Sequence, residues 1–295
     1  MLWWICGIVA ILLLAVIIAW RIFTTADVML TATSSIRSQD ALSDVSAIDN
    51  NEAYNYFIEN YYRTKDVSLV SSSMAYIDHD EAATVASMLG PTSGFYSEVF
   101  RANPDRLLGW IQEIDSLLPS AKQLFIGALW LSNSPEAKKY VEKIRTSIAS
   151  NWEPITQDMI EGEPLDLATY YPQHPTDNDM LLGAFFATGK PKYLTNIIAA
   201  STNYNNREDF MVFMTAATAK WALASIAQEH NIVYTTLEAH LDSYHGDERA
   251  IISDIIAKSK LPSGPEMLNE QMEKIFAQQK AQGQWLEYLE NIPKP

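Results

Sequence analysis

The chain has 295 residues, of which 36 are acidic and 21 are basic, and its formal net charge is −15. This charge repels phosphate backbones and anionic lipid headgroups, so it argues against a nucleic-acid partner and favours a basic protein partner. The single cysteine, Cys6, excludes a disulfide framework and a cysteine-rich zinc site.

The chain begins with a long apolar run. Residues 2–20 carry no charged side chain, and as a helix they span about 28 Å, close to the thickness of a bilayer's hydrocarbon core. Trp3, Trp4 and Trp20 lie at its two ends, where indole rings prefer the lipid–water boundary. No basic residue precedes the run and no small-residue cleavage site follows it. The sequence therefore predicts an uncleaved single-pass membrane anchor rather than a signal peptide.

The flanking charges bear on orientation. Arg21 and Arg37 follow the run, and only the terminal amine precedes it. The positive-inside bias leans towards a cytoplasmic body, and the periplasmic side stays open as the alternative. We expect a protein of the membrane, of the bacterial inner-membrane type, and the sequence leaves its oligomeric state open.

The rest of the chain has helical periodicity. A polar spacer, residues 24–51, precedes residues in which apolar side chains recur at helical spacing without the alternation typical of strands. Two stretches place apolar residues along one stripe: Tyr54, Phe57, Ile58, Tyr61 and Tyr62 in the first, and Leu107, Leu108, Ile111, Ile114, Leu117 and Leu118 in the second. The stretch "FMVFMTAATAKWALASIA" is apolar around most of its circumference, which predicts a helix buried on several sides.

Several helix starts are marked by a capping residue, a proline and an acid in the first turn. The pattern occurs at Asn103–Asp105 and Ser134–Glu136, and again with a glycine cap at Gly264–Glu266. The acid faces the positive end of the helix dipole. Asp78–Glu81 has the spacing of a capping box and predicts one more start.

Two stretches share one design. "GALWLSNSPEAKKYV" begins at Gly127 and "GAFFATGKPKYLTNI" begins at Gly183. Each predicts an apolar helix, a tight turn and an amphipathic helix, which together form an αα-hairpin. A glycine inside a helix costs about 1 kcal/mol relative to alanine, so glycines at equivalent places indicate close approach of another helix. The repetition favours stacked antiparallel hairpins of a tetratricopeptide-like or irregular α-solenoid kind, with a plain irregular helical domain as the alternative.

The hairpins "ALWLSNSPEA" and "LLGAFFATGKPKYL" resemble those of uncharacterised bacterial membrane-anchored helical proteins with tetratricopeptide-like hairpins. The resemblance is architectural and covers Phe95 to Leu237. It implies an all-α fold and a role in protein assembly, and it carries no catalytic residue over to this chain.

Prolines divide the body. The four prolines between residues 151 and 175 prevent one long helix there, so this segment is either a linker between two subdomains or a long surface loop. The predicted organisation runs in the order anchor, spacer, helical subdomain, proline-rich segment and second helical subdomain, at 1–23, 24–51, 52–150, 151–175 and 176–295.

Candidate chemistry gathers near the end of the proline-rich segment. His174, Asp177 and Asp179 are the first candidates for a metal or acid–base site. The favoured interpretation is structural, because Thr176 suits an N-cap, both aspartates then fall in the first helical turn, and Gly189 suits a left-handed C-cap.

Histidines elsewhere are weaker candidates. His240 and His245 are five positions apart, whereas two ligands on one helical face need four. We interpret them as the end of a solvated helix with Gly246 as its C-cap, and a zinc site as the alternative. His79 and His230 are predicted to be surface residues.

The sequence contains no recognisable catalytic motif, and it predicts no cofactor and no catalytic residue. The leading hypothesis is a membrane-anchored helical scaffold or assembly factor that binds a protein or peptide and performs no catalysis. The alternative is a metal-dependent enzyme with its site near residues 170–180.

Overall fold

The described part of the chain is entirely helical. The computed structural model describes residues 47–79, 85–148 and 154–281, and within these ranges no strand occurs. The prediction of an all-α body is therefore confirmed. The helices are α1 Asn51–Thr64, α2 Val70–His79, α3 Val85–Ala102, α4 Pro104–Ser116, α5 Pro119–Ser132, α6 Pro135–Ile148, α7 Pro154–Ile160, α8 Pro175–Thr188, α9 Pro191–Ser201, α10 Phe210–Glu229, α11 Asn231–Leu241, α12 Gly246–Ser259 and α13 Gly264–Ala281.

The predicted anchor, residues 1–23, lies outside the described residues, as does most of the spacer. The end of the spacer packs on the body. Ile48 is 5% exposed, and its backbone N–H donates to Ser72 Oγ at 3.3 Å. The side chain of Asn50 then accepts from the backbone N–H of Ala53 at 2.9 Å, which caps the N-terminus of α1.

Proline is the first residue of α4, α5, α6, α7, α8 and α9, where its missing N–H costs no helical hydrogen bond. The predicted starts at Asn103–Asp105 and Ser134–Glu136 are confirmed, and Ser134 Oγ accepts from the backbone of Ala137 at 3.2 Å. The start at Gly264–Glu266 is confirmed with Gly264 itself as the first helical residue. The start predicted at Asp78–Glu81 extends beyond the described residues.

The two predicted hairpins are present. Asn133 and Ser134 join α5 to α6, and Gly189 and Lys190 join α8 to α9. In each hairpin the first turn residue is left-handed, with φ of 54° at Asn133 and 70° at Gly189. The two helices of each hairpin contact each other. A left-handed residue stops the first helix and turns the chain so that the second helix packs back on it.

Helix α3 lies between α5 and α8, the first helices of the two hairpins, and these are the most extensive contacts in the fold. A Cβ added at Gly127 of α5 would lie 2.7 Å from Ser93 Oγ and 3.1 Å from Leu89 Cδ1, both on α3. A Cβ added at Gly183 of α8 would overlap the carbonyl oxygen of Pro91 and lie 2.8 Å from the backbone N of Phe95. The close approach predicted at both glycines is confirmed, and both face the same helix.

Helix α3 contributes two glycines of its own to the contact with α8. An added Cβ at Gly90 would lie 2.7 Å from the carbonyl oxygen of Thr176, and one at Gly94 would overlap the carbonyl oxygen of Met180. Gly90 and Gly94 are four positions apart and therefore face the same way. Together with Gly183 they let two helix backbones touch, and we call these three residues the glycine seam.

Helix α10 is the apolar helix predicted to be buried on several sides. It begins after Asp209, whose side chain accepts from the backbone N–H groups of Met211 and Val212 at 2.9 and 3.1 Å. It packs against α8, α9, α11, α12 and α13. Among the described residues it alone is long and apolar enough to span a membrane by length and composition, and most of that stretch is buried inside the protein. Its apolar surface is therefore used in the core.

The second predicted stripe is wrong at two positions. Leu107 and Ile114 are fully buried, but Leu108 is 61% exposed and Leu118 is 57% exposed. Leu108 lies about 100° round the helix from Leu107, outside the face that packs on the neighbouring helices. Leu118 precedes the first residue of α5 in an extended conformation, so helical periodicity does not apply to it.

The proline-rich segment contains no long helix in its described part, as predicted: α7 is short, and residues 161–174 are not helical. Leu167 is fully buried, so the loop is anchored on the body. The contact between α3 and α8 joins residues on both sides of this segment. The division into subdomains at 52–150 and 176–295 stays a prediction.

Candidate functional site

The aspartate nearest the proline-rich loop is a capping residue. Asp177 Oδ2 accepts from the backbone N–H groups of Gln173 and His174 at 2.8 and 2.9 Å, and from the Tyr170 hydroxyl at 2.9 Å. These bonds close the N-terminus of α8, whose N-cap position is His174 and whose first residue is Pro175. The prediction of Thr176 as the N-cap is therefore wrong by two residues, because the helix already begins at the proline.

The other two candidates in this region do not join Asp177 in a ligand cluster within the described residues. His174 is exposed. Asp179 is partly buried and forms no hydrogen bond within the described ranges. Its pKa is raised to about 7 by burial and then by the charge of Asp177. Asp177 occupies the third helical position and fills the capping-box role at the start of α8.

The pair at the end of α11 has separate environments. His240 Nδ1 lies 2.8 Å from the carbonyl oxygen of Thr236, so this nitrogen carries a hydrogen, and Nε2 lies 3.2 Å from Thr195 Oγ1. His245 is exposed and precedes α12. Gly246 has a φ of 55° but is the first residue of α12, so its prediction as the C-cap of the preceding helix is wrong.

A different group of side chains converges elsewhere. One ligand atom each from Glu59, Glu229 and His230 lie within 4.8 Å of one another, and this is the one group of three or more potential metal ligands in the ranges that the structure describes. Glu59 belongs to α1, Glu229 is the last residue of α10, and His230 alone separates α10 from α11. We call these three residues the Glu–Glu–His cluster.

A single non-helical residue positions two members of the cluster. His230 has φ −118° and ψ 95°, so it breaks the helix. Its backbone N–H donates to the carbonyl oxygen of Ile226 at 2.9 Å and closes α10. Its own carbonyl oxygen accepts from Val233 at 2.8 Å and opens α11. The sharp change of direction points the imidazole into the body beside α1.

The imidazole of His230 is enclosed by aromatic rings. His230 is 4% exposed. Its ring centroid lies 5.8 Å from that of Tyr62 and 5.3 Å from that of Phe186. The prediction that His230 is a surface residue is therefore wrong, whereas His79 is exposed as predicted. His230 directly follows α10, the most apolar helix, which is buried in the body, and the chain therefore reaches His230 inside the protein rather than at its surface.

Hydrogen bonds fix the protonation of the ring. His230 Nδ1 lies 3.1 Å from the Tyr62 hydroxyl and 3.3 Å from Arg63 Nη2. Arg63 Nε donates to the Tyr62 oxygen at 2.7 Å, and Arg63 Nη1 donates to Asn60 Oδ1 at 3.0 Å. Because a guanidinium only donates, Nδ1 accepts, and the hydrogen of the neutral ring is on Nε2. No described hydrogen bond engages Nε2.

The surroundings of the cluster oppose charge on all three of its members. Burial and then the charge of Glu229 raise the pKa of Glu59 to about 8. Burial also raises the pKa of Glu229. Burial and then the charge of Arg63 lower the pKa of His230 to about 4. At neutral pH Glu59 is therefore mainly protonated and His230 is neutral, so the cluster can hold a proton or accept a cation.

The Glu–Glu–His cluster has no local sequence motif that would have predicted it. Glu59 lies in the tyrosine-rich helix α1, among residues interpreted as core, and Glu229–His230 lie in a turn on the far side of the sequence. The one available signal is that His230 directly follows the apolar run of α10. A polar residue at the buried end of such a helix needs hydrogen-bonding or charged partners from another helix, but the sequence does not show which helix supplies them.

Comparison of the chain with protein-family models, with curated proteins and with solved structures finds no match.

Proposed function

We propose that this chain is a single-pass membrane-anchored helical protein that acts as a scaffold or assembly factor for a basic protein partner. The observation that supports this most directly is the pair of helical hairpins, α5–α6 and α8–α9, packed on α3. Stacked helical hairpins of the tetratricopeptide-like kind present extended surfaces that bind other proteins or peptides. The N-terminal apolar run, residues 2–20, would hold this surface at a membrane.

The partner's chemistry follows from charge and from exposed leucines. The chain's formal net charge of −15 attracts a basic surface and raises the rate of encounter at low salt. Leu108 and Leu118 are the two most exposed large apolar residues of the described body, at 61% and 57%. Leu108 lies within α4 and Leu118 immediately precedes α5, and an apolar contact at these leucines would supply the affinity that surface charges alone do not.

Affinity capture with the full chain in detergent-solubilised membranes tests this proposal. The variant Leu108→Glu/Leu118→Glu should lose the captured partner, while the matched Leu261→Glu variant should retain it, because Leu261 is also exposed, at 45%, but lies after α12. The captured partner should be basic and should dissociate as salt is raised. Equal capture by both variants, or capture independent of salt, would overturn the proposal.

Membrane attachment has its own test. A reporter fused after Pro295 should show one sidedness in intact cells, and the chain should remain with the membrane after carbonate washing. Release of the chain by that washing would exclude the anchor.

The enzyme alternative near residues 170–180 stays a prediction. Asp177 already serves the backbone of α8 there, and the described potential ligands converge in the Glu–Glu–His cluster instead. We therefore place the scaffold proposal first.

A further inference from the structure

The Glu–Glu–His cluster brings one carboxylate from α1 together with a carboxylate and an imidazole from the junction of α10 and α11, with one ligand atom from each within 4.8 Å of the others. We propose that the cluster binds one divalent transition-metal ion, represented by Zn²⁺, through Glu59, Glu229 and Nε2 of His230. This site is independent of the scaffold proposal and does not require it.

The donor set selects the class of metal. Two carboxylate oxygens and one imidazole nitrogen suit Zn²⁺, Fe²⁺ or Mn²⁺, whereas Ca²⁺ and Mg²⁺ prefer oxygen ligands alone. Three protein ligands leave at least one position of a tetrahedral ion open to water. Glu229 is exposed, so the open position would face solvent.

The present spacing needs a small closure. With bonds of about 2.0–2.2 Å, tetrahedral ligand atoms lie about 3.3–3.6 Å apart. Glu229 is exposed at the last position of α10, and its side chain can rotate inward without moving a helix. Glu59 and His230 are held by packing, so they form the fixed part of the site.

The surroundings of His230 supply a hydrogen-bond acceptor for the ring nitrogen that does not bind the metal, as metal-bound histidines require. When Nε2 binds a metal, Nδ1 carries the hydrogen and needs an acceptor, and the Tyr62 oxygen lies 3.1 Å away. Arg63 Nη2, now 3.3 Å from Nδ1, would lose that contact but keep its bonds to Asn60 and Tyr62. Metal binding is thus linked to a change of tautomer at His230.

Charge also favours a cation here. The two carboxylates of Glu59 and Glu229 lie close together, and the guanidinium of Arg63 is directed to His230, Tyr62 and Asn60 rather than to either carboxylate in the described hydrogen bonds. A divalent ion would compensate both carboxylates at once.

A metal ion in the cluster would link two segments that are far apart in the sequence. Helix α1 packs chiefly on α8, and the metal would join it directly to the junction of α10 and α11. The metal would thus fasten α1, the first described helix, to the part of the body that follows it in the chain.

Zinc titration of the full chain in detergent, after treatment with a chelator, tests the proposal. One Zn²⁺ per chain should bind, and Glu229→Gln and Glu59→Gln should each weaken binding at least tenfold. The control Glu208→Gln replaces another exposed glutamate and should leave the affinity unchanged. Equal affinity in Glu229→Gln and Glu208→Gln would overturn the proposal, and Glu229 is exposed enough for this variant to fold.

Nitrogen NMR of the five histidines provides a readout that a nonspecific surface ion would not change. Without metal, His230 should show the Nε2–H tautomer, and zinc should convert it to the Nδ1–H form in proportion to occupancy. Zinc binding that leaves the His230 nitrogens unchanged would assign the ion to another place and refute the site.

Discussion

The glycine seam and the Glu–Glu–His cluster represent opposite ways of bringing distant segments together. In the seam, Gly90, Gly94 and Gly183 remove side chains so that the backbones of α3 and α8 touch. In the cluster, three large polar side chains meet, and the pKa of Glu59 and that of His230 are displaced because burial opposes their charge. The seam is complete as it stands, whereas the cluster keeps an unfavourable electrostatic energy that a proton or a cation can relieve.

The difference indicates which region holds the fold. Close-packed backbones tolerate no added volume, since interiors are packed to the density of organic crystals. Buried ionisable groups without compensation usually lower stability, and proteins retain them most often at functional sites. Mutations in the seam should therefore lower stability, and neutralising mutations in the cluster should raise it.

The largest expected effect is at the centre of the seam. Gly94→Ala adds a Cβ that would overlap the carbonyl oxygen of Met180, so α3 and α8 must separate. We expect a loss of at least about 3 kcal/mol in the free energy of unfolding. Urea denaturation followed by far-UV circular dichroism measures it.

The control for this variant lies on α4. Gly109 is also helical, and no atom lies within 4 Å of its added Cβ. Gly109→Ala should therefore stabilise the protein by up to about 1 kcal/mol through helix propensity alone. If Gly94→Ala and Gly109→Ala had the same sign, the seam would not be the tight contact described.

The second effect is a gain of stability in the cluster, measured on metal-free protein. Burial and Glu229 raise the pKa of Glu59 from 4.5 to about 8. The folded state therefore prefers protonated Glu59, and its stability falls as pH rises from about 4.5 to about 8. Glu59→Gln should remove this loss and be more stable than the wild type by about 1–3 kcal/mol at the upper end of that window.

The opposite slope of His230 must be separated from this effect. Its pKa is lowered to about 4 by burial and by Arg63, so it reduces stability as pH falls from 6.5 through 4. The two windows overlap between about pH 4.5 and 6.5, where the slopes of Glu59 and His230 oppose each other, but only Glu59 contributes of the two between about 6.5 and 8. Urea midpoints between about pH 6.5 and 8 should therefore fall in the wild type and in the control Glu208→Gln, and less in Glu59→Gln. The same fall in Glu59→Gln as in the wild type would contradict the described environment.

A third variant connects the two regions. Gly189 ends α8 with a φ of 70°, and its added Cβ would lie 2.8 Å from Cδ2 of Tyr62, the ring beside His230. Gly162 has a similar φ of 77° and open space around its Cβ. Both alanine variants pay about 1 kcal/mol of left-handed strain. Gly189→Ala should cost about 1 kcal/mol more, and it should shift the His230 nitrogen resonances while Gly162→Ala does not.

The sequence predicted the glycine of α8 in the seam, Gly183, but not the two glycines of α3 that it meets. The equivalent glycines Gly127 and Gly183 indicated close approach because a helical glycine without such a reason is costly. Their common partner, α3, could not be deduced, since helical periodicity describes a face and not the helix that covers it. The paired glycines Gly90 and Gly94 acquire their meaning only when α8 is placed against them.

The cluster could not be predicted for a related reason. Its members come from α1 and from the junction of α10 and α11, far apart in the chain, and share no motif spacing. By contrast, the local cluster of His174, Asp177 and Asp179 was easy to see. Helix capping accounts for Asp177 there, and capping is a local effect that sequence predicts well.

The smallest expected effects concern the N-terminal cap of α8. They test whether Asp177 or Thr176 supplies the capping side chain. Asp177→Ala removes an acceptor of two backbone N–H groups and the Tyr170 hydroxyl, so it should cost about 1–2 kcal/mol. Thr176→Ala should cost under about 0.5 kcal/mol, because no hydrogen bond among the described residues engages the Thr176 side chain, and the Thr176 atom that faces Gly90 is the backbone carbonyl oxygen, which alanine keeps. Both losses should be smaller than that of Gly94→Ala in the same urea titrations, since α8 is held by the seam along its length and by its cap only at one end. A larger loss in Thr176→Ala than in Asp177→Ala would return the N-cap to the threonine and shift the start of the helix.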